Sequence, residues 1–289
     1  MLLLSPEADD GQMFDDVVVF LDGSTDAARA LGPGAAIAHY LGVSLVVVGF
    51  YEGSSRQYLD EAVDDQARGR GVVKLEVVIE PLVGSVGAAV ARMAKIHNRS
   101  LICMSTHGRG RSAAVLGSVA SEVLEATDRP VMLVGPAYAA PSFRCHGPFV
   151  VALNGSPESR SILRPAQDFA TLFDYEVEIT TVIDPGASAE FERLQASWDG
   201  GDIGSESATV RNAAAEAEQA LKTPVSFTVL HHADPVSALV DYATETHAAL
   251  VAMATHNRTG PARALSGSTV AGVARHSPSP VLVIQAPRQ

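Results

Sequence analysis

The sequence predicts an α/β protein made of two tandem copies of an open, mostly parallel sheet with helices on both faces. Three observations predict it. One segment recurs along the chain, apolar runs alternate with helical stretches, and the runs are apolar throughout, as parallel strands covered on both faces are.

The repeat sets the organisation. VVVFLDGSTDAARAL (Val17–Leu31) returns as FVVALNGSPESRSIL (Phe149–Leu163), so Asp22, Gly23 and Ser24 match Asn154, Gly155 and Ser156 at an offset of 154 − 22 = 132. Gly117-Ser118 through PVMLV (Pro130–Val134) matches Gly267-Ser268 through PVLVI (Pro280–Ile284) at 267 − 117 = 150. Extra residues in the second copy account for the larger offset. They are placed at Asp184–Ser207, a Gly-, Ser- and acid-rich stretch that reads as a surface loop and holds the only tryptophan, Trp198. GPAYAAPSFRCHGP (Gly135–Pro148), with three prolines and two glycines, reads as the linker between domains at 1–136 and 148–289.

In the first copy, strands are expected near Val17–Leu21, Leu45–Phe50, Val72–Ile79, Leu101–Met104 and Val131–Val134. Helices are expected near Asp26–Leu41, Val86–His97 and Val119–Ala126; Val86, Ala89, Val90 and Met93 have helical spacing. The second copy repeats the strands near Val150–Leu153, Val177–Val182, Val225–Leu230, Leu250–Met253 and Val281–Ile284. At 289 residues and 47% hydrophobic content, each copy has enough apolar material for a core of its own.

A net charge of −12 argues against nucleic acid or an anionic membrane surface as the main partner, since both need clustered Lys and Arg. A nest of backbone N–H groups can still hold a phosphate on an acidic protein. Cys103 and Cys145 form no metal-ligand spacing, and no metal site is expected. Free thiols, no signal-peptide pattern and no apolar run of membrane-spanning length together predict a soluble, cytoplasmic protein.

Ligands of open α/β sheets sit beyond the C-terminal strand ends, where strand order reverses. Asp22-Gly23-Ser24 closes the first strand there, and Ser105-Thr106-His107-Gly108 closes the fourth and leads to Gly117-Ser118 and a helix. Glycines let N–H groups approach a phosphate and a helix N-terminus favours the anion, yet a Gly-rich turn before a helix also serves as a plain turn. Asp22 fits either a ribose contact or a turn residue, and Ser118 and Ser268 suit helix N-termini with or without ligand. His107 and the equivalent His256 read as loop histidines, and adjacent His231 and His232 point to opposite faces. Gly108-Arg-Gly-Arg-Ser-Ala113 fits G-x-G-x-x-A but follows the fourth strand, the wrong context for a dinucleotide fingerprint. Walker A, G-x-S-x-G and HExxH patterns are absent.

The DGS turn, the STHGRG turn, the GSVASEVL helix and the closing RPVMLV strand resemble the universal stress protein family over both copies. The resemblance implies five parallel strands per copy in the order 3-2-1-4-5, and ATP bound without catalysis for a stress or regulatory role. It also implies final strands that pair, giving an internal pseudo-dimer of the two halves that a further homodimer could extend. Carried over by position, Asp22 with Gly23 and Ser24 would meet ribose and base, and Phe50 the adenine. Ser105, Thr106, His107, Gly108, Gly117, Ser118 and Val119 would surround the phosphates, with or without Mg. Two departures stand out: Ser105 replaces the motif's first glycine, and eight residues rather than nine separate Gly108 from Gly117. In the weaker second site (Asn154, Val182, Asn257, Gly267, Ser268), Asn154 replaces the acid and Ala254 and Asn257 replace both early glycines. The alternative is a nucleotide-free interaction module with degenerate loops, contacting partners through Asp184–Ser207 and anchored by Trp198.

Overall fold

Residues 13–53, 56–67, 74–97, 99–106, 118–127, 129–139, 143–186, 215, 219, 225–255 and 268–286 are described by the computed structural model. The first half contains β1 (Asp16–Leu21), α1 (Leu31–Leu41), β2 (Ser44–Tyr51), α2 (Arg56–Ala67) and β3 (Leu75–Pro81). It continues with α3 (Val86–Ile96), β4 (Ser100–Ser105), α4 (Ser118–Ala126) and β5 (Val131–Val134). The second half contains β6 (Pro148–Ala152), α5 (Leu163–Phe173), β7 (Glu176–Ile183) and β8 (Val225–His231), then α6 (Pro235–Glu245), β9 (Leu250–Thr255), α7 (Ser268–His276) and β10 (Val281–Gln285). A single 3-10 turn, Ala27–Ala30 or Ser159–Ile162, precedes α1 and α5.

Within each half every strand pair is parallel, in the orders β3-β2-β1-β4-β5 and β8-β7-β6-β9-β10. The two sheets are not separate. β5 and β10 pair antiparallel, with Val131 opposite Val283 and Leu133 opposite Val281, and one ten-stranded sheet results. The reason is the edge: a lone half would present β5 with unpaired N–H and C=O groups, and β10 supplies their partners.

The cores merge in the same way. Alternation along β1 sends Val17, Val19 and Leu21 to one face and Val18 and Phe20 to the other. Each face forms a single apolar cluster with residues of both halves: Val17, Met132 and Phe169 on one, Val18, Val131 and Val273 on the other.

The helix over Arg56–Ala67 is a correction, because no helix is expected there from sequence. Among its described side chains, Leu59 and Val63, one turn apart, are the buried ones, and acidic residues such as Asp60, Glu61, Asp64 and Asp65 surround them in the sequence. The third strand starts at Leu75 rather than Val72, and the 3-10 turn shortens the first helix. Caps fix other boundaries. Ser85 Oγ accepts from Ala88 N (3.1 Å) at the start of α3, and the Asp234 carboxylate accepts from Val236 N and Ser237 N at the start of α6. The Ser237 hydroxyl, followed by the Ser237 and Val236 N–H groups, holds the Asp234 carboxyl below its ordinary range.

Candidate functional site

Strand order reverses at β1, whose neighbours are β2 on one side and β4 on the other. In open α/β sheets ligands bind outside the C-terminal strand ends at such a reversal; here Asp22-Gly23-Ser24 follows β1 and Ser105-Thr106 ends β4.

Asp22 is half-buried there and builds its own turn. Its Oδ1 accepts from Ser24 N (2.9 Å) and Ser24 Oγ (2.6 Å), while Ser24 Oγ accepts from Ala27 N (3.1 Å) and starts the following 3-10 turn. Gly23 sits at φ 79°, the left-handed region where a side chain is costly. The second half reproduces the turn. Asn154 Oδ1 accepts from Ser156 N (3.0 Å), Ser156 Oγ accepts from Ser159 N (3.1 Å), and Gly155 also sits at φ 79°. One side-chain oxygen suffices for this Asx turn, so Asn154 keeps the geometry and loses only the charge. Turn-making and carboxylate chemistry are thus separable at Asp22.

Phe50 lies near the end of β2 with its ring stacked on Phe20, centroids 6.2 Å apart and planes 13° apart. Val182 and Ala152 take these two places in the second half, where no such stack exists. Ser105 is half-buried opposite Val134, and Thr106 is buried, its N–H donating to Val134 O (3.0 Å). Ser118 and Ser268 open α4 and α7, and Val119 packs half-buried on the apolar cluster below α4. His107, Gly108 and Gly117, like Asn257 and Gly267, lie outside the described residues, as do His256 and Trp198.

A constellation not anticipated from sequence lies at the opposite end of the sheet. His97 Nδ1 is 2.8 Å from Asp16 Oδ2, with both side chains less than one-fifth exposed, and Ser100 pairs with Asp16 across β1 and β4. The three residue types are those of a nucleophilic triad, but the contacts are not. Ser100 Oγ donates to the His97 backbone carbonyl (2.8 Å), which leaves no serine–imidazole relay. The pair is structural, and Asp16 Oδ1 is already buried without a partner. His97→Ala is expected to lower stability by about 1–3 kcal/mol by stranding the carboxylate, read as a shifted denaturant midpoint at constant m. Burial pushes the Cys145 thiol up to about 11 and the Cys103 thiol higher still, so neither is a thiolate nucleophile at neutral pH. Among the described residues no group of three or more His, Cys, Asp or Glu could hold a metal ion, and no helix is long and apolar enough to cross a membrane.

The universal stress protein family model matches residues 13–135 and again 147–285. A functionally unknown protein from Pseudomonas aeruginosa PAO1 has a similar solved structure, with TM-score 0.62 and 14% identity over 96% of this chain and 95% of that one. So does a putative universal stress protein from Pseudomonas aeruginosa UCBPP-PA14 (TM-score 0.63, 15% identity, 95% and 94% covered). A universal stress protein from Archaeoglobus fulgidus DSM 4304 gives TM-score 0.61 at 19% identity, with 95% and 98% covered. None of the curated proteins compared with this chain matches it. The shared fold runs through both halves, and two family matches together cover nearly the whole length: the chain belongs to the universal stress protein family.

Proposed function

We propose that this protein binds an adenine nucleotide, ATP with or without Mg, without catalysis, in a cytoplasmic stress-response or regulatory role. The first half holds it. The observation that carries the reading is the half-buried Asp22 carboxylate at the switch point between β1 and β4, with Ser105 ending β4 and Ser118 opening the helix that follows it. Asp22 would accept from ribose or base. The N–H groups at the start of α4, with Gly108 and Gly117, would face the phosphates. One exposed helix N-terminus contributes about 0.3–1 kcal/mol and micromolar affinity needs about 8, so base and ribose contacts at Asp22 and Phe50 must supply most of the affinity. Two units, 1–136 and 148–289, form the internal pseudo-dimer in this reading, and a further homodimer builds on it.

The test is thermal unfolding with and without saturating MgATP, against GTP. Ligand at 100 times its dissociation constant adds about 2.7 kcal/mol to the native state, a rise of several degrees in Tm. Asp22→Asn keeps the turn and removes the charge, and is expected to weaken ATP about 10- to 100-fold, the equivalent of one charge-assisted hydrogen bond. No ATP-specific shift in nucleotide-free protein would favour the interaction module. One observation supports that second reading: the Asn154 turn stands without a carboxylate, so the loop geometry can persist as structure alone.

A further inference from the structure

The two halves differ in chemistry at one patch of the sheet face beneath α3 and α6. In the first half this patch is apolar, formed by Val46 and Val48 of β2, Val78 of β3 and Met93 of α3. Strand register places Glu178 at the position of Val46, Thr180 at that of Val48 and Thr228 at that of Val78. Tyr242 replaces Met93, each being the eighth residue of its helix. All four apolar side chains have become oxygen-bearing ones.

Three of the four are joined, and the fourth lies beside them. Thr228 Oγ1 donates to Glu178 Oε1 (2.6 Å), the Tyr242 hydroxyl donates to the same oxygen, and Tyr242 Oη lies 3.2 Å from Thr228 Oγ1. Both hydroxyl protons converge on Oε1, so the Thr228 and Tyr242 lone pairs face away from it. Thr180 is fully buried, directly across from Thr228, and its hydroxyl has no partner. Glu178 is half-buried and makes no ion pair with any described residue. A tether for α6 would need one hydroxyl and one acceptor. Here acceptors outnumber donors around a negative charge, and an unpartnered buried hydroxyl costs about 1–3 kcal/mol.

We propose that this oxygen cluster binds a monovalent cation, an alkali ion or ammonium. Hard cations take oxygen ligands, and a lone carboxylate matches a single positive charge. Divalent ions are disfavoured by that lone carboxylate, since Ca and Mg sites gather several oxygens of higher charge or retain waters. The site is separate from the proposed nucleotide site: Glu178 lies four residues before Val182, roughly 13 Å back along β7 at about 3.3 Å per residue.

The test is the Tm of the full chain in KCl, NaCl, NH4Cl and choline chloride at equal ionic strength. At least one small cation is expected to raise Tm saturably by about 2–5 °C over choline, and the rank among the three assigns alkali ion or ammonium. Glu178→Gln, which still accepts both hydroxyls, and Thr180→Val, which restores the first-half residue, are expected to abolish the rise. Asp22→Asn should leave it intact, so its loss or survival is independent of nucleotide binding. Equal Tm in all four salts, or a rise unchanged in both variants, overturns the proposal.

Discussion

Phe169→Ala is expected to destabilise the whole chain by about 3–5 kcal/mol, the usual cost of deleting a buried phenylalanine. Phe169 is 1% exposed in α5 of the second half, yet one of its ring neighbours is Phe14, just before β1 of the first, at 5.7 Å in an edge contact. It also meets Phe173 at 5.7 Å, and Phe173 meets Tyr40 of α1 at 5.2 Å, a second crossing from half to half. The substitution therefore removes core volume and one of the aromatic links between the halves. Chemical denaturation followed by fluorescence and by circular dichroism would measure it. A loss below about 1 kcal/mol would mean that the two halves do not share this core as the structure has it. A single cooperative transition is expected for the unaltered protein, because both apolar clusters run through both halves.

What the sequence discloses follows from how local the physics is. The Asp22-Gly23-Ser24 turn is legible because its three hydrogen bonds span at most three residues and its glycine has a positive φ. The strands are legible because parallel strands covered on both faces leave unbroken apolar runs such as Leu45–Val48 in β2, where every side chain is buried. α2 is not, since Leu59 and Val63 are its sole large aliphatic residues and make too short an apolar stripe among charged neighbours to stand out. Val131–Val134 and Val281–Ile284 look alike whether their neighbour runs parallel or antiparallel, so only the family resemblance pointed to the joint between β5 and β10. Contacts between distant residues are silent in the sequence: 81 positions separate Asp16 from His97 and 64 separate Glu178 from Tyr242. Of the candidate site, the strand-end residues are placed by the fold. What Asp22 binds is a matter of chemistry that its turn alone does not decide.

Gly135→Ala tests the joint itself, and a loss of about 3 kcal/mol is expected, the upper range for overpacking. Gly135 is buried just after β5, and a Cβ there would run into the backbone carbonyl oxygen of Ala274 in α7. A flexible side chain could rotate away, but a helix carbonyl cannot move without taking α7 with it. Because β5 lies in the first half and α7 in the second, the collision pushes the halves apart at the β5–β10 ladder. The offset of 150 residues makes Gln285 the counterpart of Gly135 and Leu124 that of Ala274, so the joint departs from twofold symmetry where it is tightest. A full side chain fits on one side of the joint and no side chain fits on the other. An unchanged denaturant midpoint in Gly135→Ala would show that α7 does not press on the end of β5. A lower midpoint with a reduced m-value would show instead that the two halves had begun to unfold separately.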